Sequence, residues 1–189
     1  MTFLAADLNS AGPLITSLTT VGKFISLASS FATIGFLLAM AFLLLDDAGK
    51  LSKSAKALRN SAAITALVWV LGQGLNILTT LANILGTSLS GALDPTSLRS
   101  FVSQIDLGKY MFVQLVLALL ICTAVSRIRT VAAANALLLL SIVAVIAPIF
   151  ASHSASSGSH SLAIGSLIVH VVALTFWVGG LIAITALSA

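Results

Sequence analysis

The sequence contains little charge and no glutamate. Only 7% of its 189 residues are charged, and all five acidic residues are aspartate. Soluble domains carry about 25% charged residues, so this chain has too little polar surface to cover a water-soluble globule. The scarcity of charge therefore excludes an ordinary soluble enzyme. Disorder is excluded as well, because disordered chains are poor in apolar residues and 59% of this chain is apolar.

Cysteine is equally scarce, and the motifs of group-transfer enzymes are missing. Cys122 is the single cysteine, so the chain has no internal disulfide and no paired-cysteine metal motif. The sequence has no phosphate-binding loop, no nucleophile elbow and no paired carboxylates. Nothing in it supports hydrolysis or phosphoryl transfer, and we expect a protein that is not an enzyme.

Long apolar runs dominate what is present. The mean hydropathy is +1.15, and the runs are continuous rather than alternating, which favours membrane helices over a membrane β-barrel. A helix needs about 20 apolar residues to cross a bilayer. Five runs satisfy this, near residues 24–45, 61–86, 110–126, 131–150 and 162–187. The predicted fold class is an all-α, polytopic transmembrane helical bundle in a lipid bilayer.

The basic residues predict the orientation of these spans. Six of the nine lie in the first and third connections, namely Lys50, Lys53, Lys56, Arg59, Arg127 and Arg129. Because basic residues concentrate in cytoplasmic loops, we expect the N-terminus outside and the second and fourth connections also outside. The net charge of +4 is dispersed at the ends of apolar runs, so we expect no nucleic-acid partner.

The second connection, near residues 87–109, is the longest and has a helical pattern. Leu98, Phe101, Val102 and Ile105 recur at helical spacing after Asp94 and Pro95, a pair that suits a helix start. A short helix on the outer face is predicted. It either packs as a lid or offers a docking surface to an external partner.

All three histidines lie close together in the sequence. His153 and His160 flank the flexible segment SASSGS in the fourth connection, and neutral imidazole is the commonest ligand of transition metals. A loop of this length can bring the two rings to one ion. The alternative is that both histidines are solvated and bind nothing.

His170 lies deeper, about 12 Å below the start of the last predicted span and about 15 Å along a helix from His160. An ionisable side chain at this depth indicates either a function or a buried partner. Ser166 and Trp177 share its helical face, and we expect this face to line the bundle interior. A purely structural His170 would bond to another span, and Asn76 is the best-matched partner by depth.

Softer metal ligands and small residues are also present in the spans. Cys122, Met40 and Met111 could in principle bind Cu(I), but each is expected to serve packing instead. The glycines of the second and fifth spans permit close helix approach: Gly72, Gly74, Gly179 and Gly180.

The stretch SHSASSGSHSLAIGSLIVHVVALTFWVGGL resembles the copper resistance protein D (CopD) family. In that family a histidine-bearing outer loop precedes a helix that opens with a histidine and runs into Trp-x-Gly-Gly, here Trp177 to Gly180. The chain looks most like the actinobacterial proteins in which a CopD-like half is fused to a cytochrome c oxidase assembly half of the CtaG type. We accordingly expect residues 1–189 to form one CopD-like domain at the front of a longer polypeptide.

The resemblance implies a multi-pass protein of the bacterial inner (plasma) membrane that handles copper. Its metal ligands would be His153, His160 and His170, and its cargo would be Cu(I) or Cu(II). Its partner would be a periplasmic copper-binding protein. The alternative function is a scaffold or assembly factor that binds respiratory oxidase subunits and uses its histidines structurally. A b-type cytochrome is disfavoured because haem needs histidine pairs on facing helices.

Overall fold

A computed structural model describes residues 12–44, 49–153 and 160–188; the side chains of residues 152–153 and 160–163 lie outside the description. This part of the chain is helical, without a strand beyond one isolated bridge. The helices are α1 (Pro13–Leu38), α2 (Lys53–Leu85), α3 (Leu89–Ala92), α4 (Pro95–Gln104), α5 (Asp106–Val125), α6 (Val131–Ile146) and α7 (His160–Ser188). A π-helical segment, Ala39–Leu43, extends α1, and a 3₁₀ segment, Ala147–His153, extends α6.

Five of these helical segments are long and apolar enough to cross a membrane, so the predicted fold class is confirmed. They are Pro13–Leu43, Lys53–Leu85, Asp106–Val125, Val131–Ala151 and Ile164–Ser188. The predicted order and number are correct, but two helices begin well before the apolar runs do. Hydropathy marks the part of a helix that matches the hydrocarbon core, whereas the helix itself continues wherever its backbone hydrogen bonds can form.

The early starts have local causes. α1 begins directly after Gly12 with a proline at its first position, where the missing N–H costs nothing. α2 begins at Lys53 because the Ser52 side chain accepts a hydrogen bond of 3.1 Å from the Ala55 N–H. Its other end is terminated by Gly86, which adopts the left-handed conformation with φ 64°.

The first span is the centre of the bundle and the fifth is at its edge. In the most apolar window of the first span 67% of residues are buried, against 17% in the fifth. α1 packs against α2, α6 and α7, while α7 packs mainly on α1. Small residues make the close contacts: a Cβ on Gly72 of α2 would lie 2.9 Å from the Ser26 nitrogen of α1.

The two basic connections meet at one end of the bundle, which we call the basic end. Lys50 and Thr130 form an antiparallel bridge, and the Leu51 N–H donates to the Arg129 carbonyl at 3.0 Å. Arg59 reaches across to the Ile128 carbonyl at 3.4 Å. At the opposite end α1 begins, α2 ends and α7 begins at His160; we call it the histidine end.

The short helix predicted in the second connection is α4, and it packs as a lid. The Asp94 carboxylate accepts a hydrogen bond of 2.8 Å from the Ser97 N–H, which caps the helix start. Phe101 is 1% exposed, and Leu98 and Val102 pack beside it against the spans. Ile105 lies outside the helix, because α4 ends at Gln104 and α5 starts at Asp106.

Candidate functional site

His153 is the last residue of one helical segment and His160 is the first residue of the next, and both lie at the histidine end. The 3₁₀ segment that extends α6 ends at His153, and α7 begins at His160. The two segments are in contact with each other, so the backbone carries both histidines to the same end of the bundle. Their side chains, and residues 154–159 between them, lie outside the described residues. A shared metal site therefore stays a prediction.

His170 does not line the bundle interior, and that prediction was wrong. His170, Ser166 and Trp177 are all exposed, Trp177 to 67%. The face of α7 that packs on α1 carries small residues four apart: Thr175, Gly179 and Ala183. In a membrane bundle the closest approach of two backbones decides which face is buried, and small side chains allow that approach better than a large or polar one.

His160 and His170 cannot ligate one ion together. Both lie in α7, ten residues apart, which corresponds to about 15 Å along the axis at 1.5 Å per residue. Any metal bound at His170 therefore occupies a site separate from one at His160. The separation expected from the sequence holds, since the helix includes both residues.

The expected pairing of His170 with Asn76 is absent. The Asn76 side-chain oxygen accepts from the Thr80 hydroxyl at 3.4 Å, within the same helix. His170 has no hydrogen-bond partner within the ranges that the structure describes. Its neighbour Val171, not His170, faces the polar layer near Asn76.

That polar layer joins three spans near the histidine end. The Ser26 hydroxyl of α1 donates to the Gln73 side-chain oxygen of α2 at 2.8 Å, and the Gln73 side-chain nitrogen donates to the Met111 carbonyl of α5 at 3.1 Å. Gln114 of α5 lies at the same level and is 9% exposed. The sequence indicated Asn76 by its depth but not Ser26, whose small size and weak hydropathy signal gave no hint of an interhelical bond.

The softer candidate ligands serve packing. Met40 is fully buried in the main apolar cluster, and Cys122 packs against that cluster. Met111 is 4% exposed in a second cluster with Phe101. Over the described residues no group of three or more His, Cys, Asp or Glu side chains converges to hold a metal.

The family described as "Copper resistance protein D-like, N-terminal domain" matches residues 14–164. The match includes His153 and His160 and stops before His170. No curated protein and no solved structure matches the chain. Because the match covers well over half of the sequence, and the five spans fit a membrane protein, the chain belongs to the copper resistance protein D-like family.

Proposed function

We propose that this protein captures a copper ion at the histidine end through His153 and His160 and carries a second, separate copper ligand at His170. The observation that supports the proposal is that one helical segment ends at His153 and the next begins at His160, at the same end of the bundle, and that the family match contains both histidines. Imidazole suits Cu(I) and Cu(II), so the cargo is copper in either state.

The mechanism is ligand exchange without a chemical reaction. No nucleotide-binding motif occurs in the sequence to power pumping, so the protein acts as a facilitator or a donor in the bacterial inner membrane. It exchanges copper with a periplasmic copper-binding protein, provided that the histidine end is the outer end.

The exposure of His170 determines where the other ligands of a copper ion bound there must come from. An ionisable side chain on an outward helix face is costly in lipid, and two or three further ligands are needed to complete a copper site. These ligands belong to another polypeptide segment that packs on the exposed face of α7. His170 thus serves delivery at the edge of the bundle and not passage through its centre.

Metal analysis of the purified protein tests the proposal. The wild type and the variants His153→Ala, His160→Ala and His170→Ala are loaded with copper, washed, and measured for copper per polypeptide. A double variant that combines His153→Ala and His160→Ala is measured as well. If His153 and His160 share one ion, His153→Ala or His160→Ala alone loses as much copper as this double variant. When the segment that completes its site is co-purified, His170→Ala loses its copper independently, and Ser166→Ala, one turn away on the same exposed face, loses none.

Equal copper content in the wild type and all three single variants would refute the proposal. If, in addition, oxidase subunits co-purify with the triple histidine variant as they do with the wild type, the assembly-factor alternative is favoured. Thermal unfolding of each variant shows whether a loss of copper reflects a loss of fold.

A further inference from the structure

An open cavity with a patch of polar side chains in a mainly apolar lining lies between the spans at the level of the Ser26–Gln73 hydrogen bond. Its volume is about 290 Å³, far above the roughly 10–15 Å³ that one water requires. All five spanning segments contribute to its wall. Its polar lining consists of Lys23, Ser26, Gln73, Asn76 and Gln114, and the remainder is aliphatic.

Two amides in this wall keep unused hydrogen-bonding groups. Ser26 and Gln73 satisfy each other and the Met111 carbonyl, and the Asn76 oxygen is used by Thr80. The Asn76 side-chain nitrogen and the whole Gln114 amide have no partner among the described residues, although both residues are only 9% exposed. Both side chains line the cavity, and their unpaired atoms are not sealed off from it, so these amide N–H groups are available to a ligand bound there.

The charge of the cavity lining favours an anion over a metal cation. Lys23 lies at the rim, is exposed, and has no ion pair in the part of the chain that the structure describes. The described wall contains no carboxylate, thiol or imidazole. A metal cation would meet an ammonium group and no anionic ligand there, whereas an anion would meet one ammonium and two amide N–H donors.

The depth of these residues agrees with an anion that enters from the histidine end. Lys23 follows the start of α1 by ten residues, Asn76 precedes the end of α2 by nine, and Gln114 follows the start of α5 by eight. At 1.5 Å per residue all three lie about 12–15 Å from those helix ends. Lys23 directly precedes the apolar run of the first span, so its long side chain can extend toward the membrane interface, where phosphate groups lie.

We propose that this cavity is a binding site for an anionic phosphate group, held by the Lys23 ammonium and by the side-chain N–H groups of Asn76 and Gln114. The phosphate is either the headgroup of an anionic phospholipid or a free anion, which present the same oxygens. The site contains no histidine and is independent of the copper proposal.

Thermal unfolding of the full chain in neutral detergent tests this site with two probes. One arm titrates inorganic phosphate against chloride at constant ionic strength. The other compares nanodiscs of phosphatidylcholine with nanodiscs that also contain phosphatidylglycerol. At least one probe is expected to raise the unfolding temperature saturably by several degrees, and Lys23→Gln and Gln114→Leu should each remove most of that rise. Lys109→Gln is the matched control, because Lys109 is exposed and already paired with Asp106 at 3.0 Å.

The two measurements distinguish a lipid headgroup from a free phosphate anion, and either one can give a negative result. A rise with phosphatidylglycerol alone assigns a lipid headgroup, and a rise with phosphate alone assigns a free anion. The proposal is overturned if neither probe raises the unfolding temperature, or if the rise is as large in Lys23→Gln as in Lys109→Gln. Because Lys23 is exposed, its variant should fold even where Gln114→Leu does not.

Discussion

Gly35 of α1 and Gly179 of α7 are in direct backbone contact. A Cβ added to Gly35 would overlap the Gly179 carbonyl group, and one added to Gly179 would lie 2.5 Å from the Phe31 carbonyl oxygen. This contact holds the fifth span on the first and turns the opposite face of α7 outward. Gly179 of the Trp-Val-Gly-Gly sequence is thus a packing residue, while Trp177 of the same sequence is exposed.

The first prediction concerns this contact. Gly179→Ala should destabilise the protein by about 1–3 kcal/mol, because the added methyl group has no space and the helices must separate. The unfolding temperature in detergent should fall by several degrees. Gly180→Ala is the matched control, since a Cβ at Gly180 would meet nothing within 4 Å. Equal effects of the two substitutions would contradict the contact.

The second prediction concerns the hydrogen bond between Ser26 and Gln73. A double-mutant cycle with Ser26→Ala and Gln73→Leu should give a coupling energy of about 0.5–1.5 kcal/mol, within the range for interhelical bonds in membranes. The free energy of unfolding in mixed micelles is the measurement. Thr185→Ala, which removes an exposed hydroxyl bonded only to the Leu181 carbonyl, should change stability little. A coupling energy near zero would show that the bond contributes nothing.

The third prediction concerns the cap of α4. Hydrogen bonding from Ser97 to the Asp94 carboxylate lowers the pKa of Asp94, so the cap stabilises α4 above the unfolded pKa and is lost only as the pH falls through the lowered folded value. The amide chemical shift of Ser97 should titrate with a midpoint below that of an ordinary aspartate. A midpoint at the ordinary value would contradict the capping bond.

A hydrogen-exchange comparison checks the same cap at neutral pH. Asp94→Ala should speed exchange in residues 95–104, because the helix start loses its acceptor. Asp94→Asn should preserve protection, since asparagine caps about as well as aspartate. Faster exchange in both variants would mean that charge, not the cap acceptor, stabilises the helix start.

The fourth prediction concerns orientation. In a Cys122→Ser background, a cysteine that replaces the exposed Ser103 of α4 should react with an impermeant maleimide in intact cells. A cysteine that replaces the exposed Ser54 at the basic end should react only after permeabilisation. The expectation follows from the positive charge at the basic end, and the reverse pattern would contradict an outside N-terminus.

Much of the fold could be predicted from the sequence. The number of spans followed from run lengths, because hydrocarbon thickness requires about 20 apolar residues each time. The helix after Asp94 followed from a local cap and a proline, both short-range features. The start of α1 at Pro13 was missed because its first turns contain Thr, Ser and Lys, which lower hydropathy without preventing a helix.

The candidate site was less predictable. The positions of His153 and His160 at two helix termini were close to expectation, since the Ser-rich segment between them interrupts the apolar pattern. The direction in which His170 points was not predicted correctly. Residue spacing places His170, Ser166 and Trp177 on one helical face, but it does not tell which face another helix covers.

The sequence alone determined that five segments are long and apolar enough to cross a membrane, that a short helix starts after Asp94, and where the histidines fall along the chain. These depend on hydropathy and local backbone chemistry, which act within a few residues. Only the tertiary structure decided that α1 is central, that Gly35 meets Gly179, and that Lys23, Asn76 and Gln114 surround one cavity. Those relationships depend on how closely two backbones approach, and lipid, being as apolar as the side chains, gives no hydropathy signal for that choice.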